Sequence, residues 1–321
     1  MRCFLICRSG RLRATWLRGA GLAVAALAPL PSPPTRAETP PASAPLVVAA
    51  DGVLCDLTRS LSADQARVVC LIPAGTDPHQ AVLRPRDRQA LAEAQLVLRN
   101  GYNLTPALEG LNLRAPQVAV AEQAVPASPG RDPHVWQDSR HAAAMVQVVE
   151  DRLVALLPAQ ATPGIRRRSH AARDVLQALG VWTGAQIRTV PEAHRVLVSE
   201  HRAFSTLARR YGLRELPLRA SFSSGGVLRP SGLAAMVRAV RESGTRQLFA
   251  ESAPPTKTLR RVSRSSGVPL NPTPLVADGL APGRSWVQTA TANVCTVVNG
   301  QGGHCDSAGA ERLAQRWQAV R

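Results

Sequence analysis

Residues 162–190 read TPGIRRRSHAARDVLQALGVWTGAQIRTV, and the reading of this stretch decides the architecture. Thr162 can cap a helix, and Pro163 suits the first helical position, where its missing N–H costs nothing. Ile165, Ala172, Val175, Leu176, Leu179 and Trp182 recur at helical spacing, so the pattern predicts one long helix. Gly180 and Gly184 count against it, because glycine inside a helix costs about 1 kcal/mol relative to alanine.

On both sides of this stretch, strands alternate with helices. Before it, APLVVAA (44–50), ARVVCLIPAG (66–75), LVLRNG (96–101) and PQVAVAEQA (116–124) read as strands, the last running into a loop. DGVLCDLTRSLSA (51–63), PRDRQALAEAQ (85–95) and SRHAAAMVQVVEDRLVALL (139–157) read as helices between or after them. After it, HRVLVSE (194–200), RQLFAE (246–251) and VPLNPTPLVADGL (268–280) read as strands, the last ending in a loop. RAFSTLARRYG (202–212), LRPSGLAAMVRAVRESG (228–244), PTKTLRRVSRSSG (255–267) and SAGAERLAQRWQAV (307–320) read as helices. The expected fold is α/β: two lobes, each a mainly parallel sheet flanked by helices, joined by the long helix. The boundaries follow as 38–160 for the first lobe, 161–190 for the linking helix and 191–321 for the second.

The first 37 residues have a basic stretch, an apolar run of about 12 residues and Thr35 and Ala37 at a small-residue cleavage pattern. They read as a signal peptide cut after Ala37, because the run is too short to span a bilayer. No Cys follows the run, so no lipid anchor is expected, and the mature protein is expected to be a soluble, periplasmic monomer. The formal charge is +17; residues 1–37 hold six Arg and no acid, leaving about +11 for the rest. Nearly all of it is Arg, with Lys257 the one Lys. The arginines are scattered, and GIRRRSH (164–170) has no interleaved aromatics, so solvated helix faces are expected and no nucleic-acid partner.

Export leaves Cys55, Cys70, Cys295 and Cys305, an even number in an oxidising compartment. Cys295 and Cys305 flank a Gly-rich stretch and are expected to pair. Cys55 and Cys70 read as a second pair, with two buried thiols nearly as good a reading. CxxC spacing is absent, which argues against a Cys-ligated zinc site.

The chemistry gathers where ligands bind in α/β sheets, beyond the carboxyl ends of strands. Asp-Pro-His occurs twice, at 77–79 and 132–134. Proline fixes the backbone there, so each imidazole is presented in a set direction. His201 follows a strand, as does Asp278. Three imidazoles and a carboxylate make a set that suits Zn2+ and can hold Mn2+ or Fe2+. Glu251 also ends a strand and rivals Asp278 as fourth ligand, or accepts a His N–H from behind the site, and Glu200 has the same possible role. Asp77 and Asp132 read as loop caps or as carboxylates that orient the histidines. His141, His170, His194 and His304 have no such context and read as structural or exposed.

Four ordered runs carry a resemblance: GTDPHQAVLRPRDRQALAEAQLVLRNG (75–101), DPHVWQDSRHAAAM (132–145), HRAFSTLARRYGL (201–213) and ADGL (277–280). Together they make the chain resemble the zinc- and manganese-binding solute receptors of bacterial ABC importers, over almost the whole mature length. The resemblance implies metal ligands at His79, His134, His201 and Asp278, and two lobes bridged by a rigid helix that close slightly on the metal. It implies a membrane permease with a cytoplasmic ATPase as partner and no catalysis. It departs from the family pattern at Ala81 and Val82, where an aromatic is usual, and at DSRHA (138–142). The span 112–130 lacks the His-rich loop of many zinc members. The Cys pair near the C-terminus resembles a feature of some zinc-binding members, and one carboxylate among three imidazoles leans to zinc.

The resulting expectation is an ABC receptor that carries Zn2+ as its bound substrate. An Mn2+ receptor and a periplasmic zinc chaperone are the alternatives. A zinc metallohydrolase is further off, because the sequence has no HExxH and no second metal cluster.

Overall fold

The computed structural model describes residues 43–225 and 230–321. The stretch read as an export signal, 1–37, lies outside them. β1 (Leu46–Ala49) is buried throughout, and its side chains alternate: Val47 and Ala49 enter the main core, Leu46 and Val48 a second cluster. This is the period of a strand covered on both faces. Asp51 then caps α1 (Gly52–Ser62), its carboxylate accepting the Leu54 N–H at 3.0 Å. β2 (Arg67–Cys70), β3 (Leu96–Arg99) and β4 (Gln117–Ala119) complete a parallel sheet of order β2-β1-β3-β4, with α2 (Pro85–Glu93) between β2 and β3 in the chain. The chain after β4, expected as a loop, is a short helix, α3 (Val120–Ala124), with Val120 and Ala121 in the main core. Burying those two residues outweighs the brevity of the helix.

α4 (Ser139–Leu156) starts from Asp138, whose side chain accepts the Arg140 N–H. α5 (Thr162–Arg188) has 27 residues, which at 1.5 Å per residue makes it about 40 Å long. Its expected apolar stripe is buried, and the helix lies within the main core. Thr162 does not cap it: a tight turn at Ala159–Ala161 runs straight into the helix, so the cap position falls on Ala161 and has no side-chain bond. Gly180, unfavourable by propensity, has a packing reason. A Cβ there would collide with Ser139 Oγ and lie 3.3 Å from the Tyr211 hydroxyl. Arg166 and Arg167 are exposed on this helix, and Arg168 Nε donates to the Leu61 carbonyl at 2.8 Å.

Beyond α5 come β5 (Val196–Ser199), α6 (Ser205–Tyr211), β6 (Arg214–Pro217), α7 (Pro230–Glu242) and α8 (Lys257–Ser266). β5 and β6 pair in parallel. The strands expected at 246–251 and 268–280 shrink to one parallel bridge, Leu248 to Leu270. Single hydrogen bonds still lay this segment beside β5, Phe249 N–H to the Val198 carbonyl at 3.0 Å among them. Pro269, Pro272 and Pro274 have no N–H to give, so no continuous ladder forms. α9 (Trp286–Gly300), absent from the sequence reading, places Cys295 on a helix and not in a Gly-rich loop. α10 (Ser307–Gln318) closes the fold. Val47, Leu98, Met145, Leu176, Leu197 and Val298 share one core, so both sheets pack on the same central helices. Among the described residues no helix is long and apolar enough to cross a membrane.

Candidate metal centre

The two Asp-Pro-His stretches fold alike. Asp77 Oδ1 accepts the His79 N–H at 2.8 Å, and Asp132 Oδ1 accepts the His134 N–H at 3.0 Å. Each aspartate closes a local turn that proline has stiffened, which is why the short motif sets the histidine's direction. The second stretch is also anchored to the sheet: Asn100, just past β3, donates to the Pro133 carbonyl at 2.8 Å. Thr206 Oγ1 donates to the His134 carbonyl at 2.7 Å. His201 lies two residues past β5. Glu251 Oε1 accepts the N–H groups of Glu200 at 2.9 Å and His201 at 3.2 Å. The loop bearing Asp278 is pinned on both sides, by Leu275 N–H to the Ala250 carbonyl and by Gly75 N–H to the Leu280 carbonyl, each 2.8 Å.

These loops bring His79, His134, His201 and Asp278 together, with one donor atom from each inside a cluster no wider than 4.8 Å. Asp278 Oδ1 is 2.8 Å from His134 Nε2 and 3.4 Å from both His79 Nε2 and His201 Nε2. The His79 and His134 Nε2 atoms are 3.4 Å apart. The side chains of His134 and His201 are wholly buried and that of His79 nearly so, while that of Asp278, 11% exposed, is the least buried of the four. Behind the rings, His134 Nδ1 meets Asp132 Oδ1 at 2.9 Å and His201 Nδ1 meets Glu251 Oε2 at 2.5 Å. A proton on each Nδ1 leaves the Nε2 lone pair aimed inward, the arrangement that supports a metal-binding imidazole. Buried His201 Nε2 has no hydrogen-bond partner. A cation at the centre would satisfy it, so the donor set fits a divalent metal.

The electrostatics point the same way. Burial pulls the His134 and His201 pKa values down, but the neighbouring carboxylates outweigh it, with Asp132 and Asp278 acting on His134 and Asp278 and Glu251 on His201. His134 is raised, and His201 is raised to about 10. For Asp278 burial pushes up, yet the three histidines beside it hold it well below the usual carboxylate range. Without metal the centre therefore retains protons that a metal has to displace.

The remaining candidates fall elsewhere. Glu251 stands behind His201, with both oxygens committed to N–H donors. Glu200 turns away and accepts from Thr256 Oγ1 at 2.6 Å. His170 pairs with Asp174 at the surface, and His194 Nδ1 meets the Gly244 carbonyl. His304 is exposed, and buried His141 Nδ1 has no partner. The sulfurs of Cys55 and Cys70 are bonded, as are those of Cys295 and Cys305. Sequence reading missed the Ser221–Gly225 stretch. Ser224 Oγ donates to Asp77, and Phe222 lies 6.5 Å, ring to ring, from His134. Contacts between residues this far apart in the chain leave no local pattern.

Residues 47–300 match the periplasmic zinc-uptake complex component A family. The manganese-binding lipoprotein MntA of Halalkalibacterium halodurans is 28% identical over 229 residues, covering 69% of this chain and 76% of that protein. The iron-binding protein YfeA of Yersinia pestis is 26% identical over 91% of this chain and 99% of its own. A solved structure of the periplasmic zinc-binding protein TroA from Treponema pallidum superposes with a TM-score of 0.74 at 25% identity, covering 81% of this chain and 99% of that one. The chain belongs to the periplasmic zinc-uptake component A family: it is a metal-binding substrate receptor of an ABC transporter and not an enzyme.

Proposed function

We propose that this receptor captures one Zn2+ through His79, His134, His201 and Asp278, in the periplasm, as a monomer freed of residues 1–37. It hands the ion to an inner-membrane permease driven by a cytoplasmic ATPase. Residues 38–160 and 191–321 act as two lobes around the ion, with 161–190 as the stiff link. The disulfides Cys295–Cys305 and Cys55–Cys70 suit that oxidising compartment.

The observation that carries the reading is the convergence of three imidazoles on one Asp278 oxygen. Three nitrogens and one oxygen match the tetrahedral preference of Zn2+, whereas Mn2+ favours more oxygen donors. Manganese is the second reading, because the manganese-binding relative spans more than two-thirds of this chain.

Competition between Zn2+, Mn2+ and Fe2+ on the metal-free mature protein tests it. One tightly held Zn2+, lost in His79→Ala and Asp278→Ala, is the expected result. Even competition by Mn2+ removes the zinc assignment and keeps the site. Normal binding by both variants removes the site.

A further inference from the structure

We propose that the outward face of α8 is a docking surface for an acidic patch on the permease, a proposal that rests on the receptor reading above. Lys257, Arg260, Arg261 and Arg264 stand at i, i+3, i+4 and i+7 of this helix, so a single face carries four cations. Leu259 and Val262, on the opposite side, have no exposed surface. Lys257, Arg261 and Arg264 are exposed and Arg260 is half-buried. α8 contains no acidic residue, and among the described residues none of the four cations pairs with a carboxylate. On the neighbouring α7, Arg238 is exposed, Arg241 donates to the Ser265 carbonyl at the far end of α8, and the one acid, Glu242, pairs with none of the four cations among the described residues.

Such a face works against its own helix. Like charges three and four residues apart repel, and a cation in the first turn opposes the helix dipole. An anionic partner would remove both penalties.

The face also begins beside the metal. Thr256, the cap of α8, donates its hydroxyl to Glu200, the neighbour of His201 in the chain. Glu251, five residues before that cap, accepts from His201 Nδ1. These two carboxylates are bound up in the site's own hydrogen bonds. They do not neutralise the stripe, and they tie the start of α8 to the residues behind His201.

The chemistry favours a protein partner over a lipid surface. A membrane-surface helix needs a free apolar side to enter the acyl boundary, and the apolar side of α8 is spent in the core. Three of the four cations are arginines, whose planar forks pair bidentately with carboxylates.

The test uses the full mature receptor and its permease–ATPase complex in lipid nanodiscs, with docking measured at about 50 and about 300 mM salt. Arg260→Glu, Arg261→Glu and Arg264→Glu combined should weaken docking about tenfold or more and flatten its salt dependence. Zn2+ stoichiometry and affinity should not change. Arg261→Gln with Arg264→Gln is the milder variant should the reversal unfold, with a loss of about threefold to tenfold expected. Docking by the folded variants at wild-type strength overturns the surface and leaves the receptor reading standing. Absence of wild-type docking at either salt overturns both. Stripe-dependent binding to protein-free nanodiscs of anionic phospholipid identifies a lipid partner and overturns the permease assignment.

Discussion

Asp132 holds His134 twice through one oxygen: Oδ1 lies 3.0 Å from the backbone nitrogen and 2.9 Å from Nδ1. The same carboxylate thus sets where the residue begins and which way its ring turns. Both residues are fully buried, so no water can replace the contact. Asp132→Ala should lower metal affinity about 10- to 100-fold, the usual cost of losing a carboxylate behind a metal-binding histidine. Asp132→Asn keeps an acceptor and loses the charge, so it should fall between. Calorimetric titration with Zn2+ checks the order, and unchanged affinity in the alanine variant would refute the role.

Proton release should accompany metal uptake. The metal-free centre holds His201 protonated up to about 10, while a metal bound through His201 would require its lone pair. Apparent affinity should therefore rise about tenfold per pH unit for each proton displaced between about pH 6 and 9. Calorimetry in buffers of different ionisation enthalpy counts the protons, and a buffer-independent heat would contradict the scheme. The metal-free protein should show the reverse trend in stability. Because His201 is raised in the folded state, its contribution is complete below about 6.5 and is lost as pH rises through about 10. Asp278 is lowered, so its contribution is present above about 4 and is lost as pH falls through its depressed value. Melting of metal-free protein should accordingly peak between about pH 4 and 6.5.

What could be read in the sequence was what is local. Asp-Pro-His encodes its own turn, so His79 and His134 stood out, and both lie in the cluster with His201 and Asp278. The alternating strands and the buried stripe of α5 likewise follow short-range rules. α9 escaped because SWVQTATANVCTVVNG is rich in Thr, Val and Asn, poor helix formers. Its signal was present all the same: Ser285 and Gln288 form a capping box at its start. The strand expected at 246–251 dwindled because its partner segment carries three prolines, a property of the neighbour and not of the strand itself. Asp278 faces the ring Nε2 atoms and Glu251 stands behind His201, an arrangement set by tertiary packing that no local pattern announces.

Gly180 is a test of packing against propensity. Alanine there should add about 1 kcal/mol of helix stability by propensity alone. Its Cβ would collide with Ser139 Oγ and stand 3.1 Å from Ser139 Cβ. The serine cannot move freely, since Tyr211 donates to it at 3.1 Å. Overpacking of this kind costs about 1–3 kcal/mol, so Gly180→Ala should be net destabilising. Adding Ser139→Ala removes the obstructing oxygen and should recover most of the loss. Urea unfolding of both variants decides it, and a stabilised single variant would show that α4 and α5 yield easily.

Asp56 ties three distant parts of the chain to α1. Its Oδ2 accepts the Trp286 N–H at 2.9 Å and the Trp317 indole N–H at 2.8 Å, and its Oδ1 accepts from Arg321 at 2.7 Å. The two indoles also meet edge to face, with centroids 5.6 Å apart. Removing the carboxylate strands two buried donors, the start of α9 and the indole of α10. Asp56→Ala should then cost about 2–4 kcal/mol in urea unfolding of the metal-free protein. Arg321 is half exposed, and its pair with Asp56 is screened by water, so Arg321→Ala should cost less than about 1 kcal/mol. The contrast separates two explanations of one cluster. If the two variants lose equally, the ion pair is the main tie; if only the aspartate variant loses, its hydrogen bonds to buried N–H groups hold the C-terminal helices on α1.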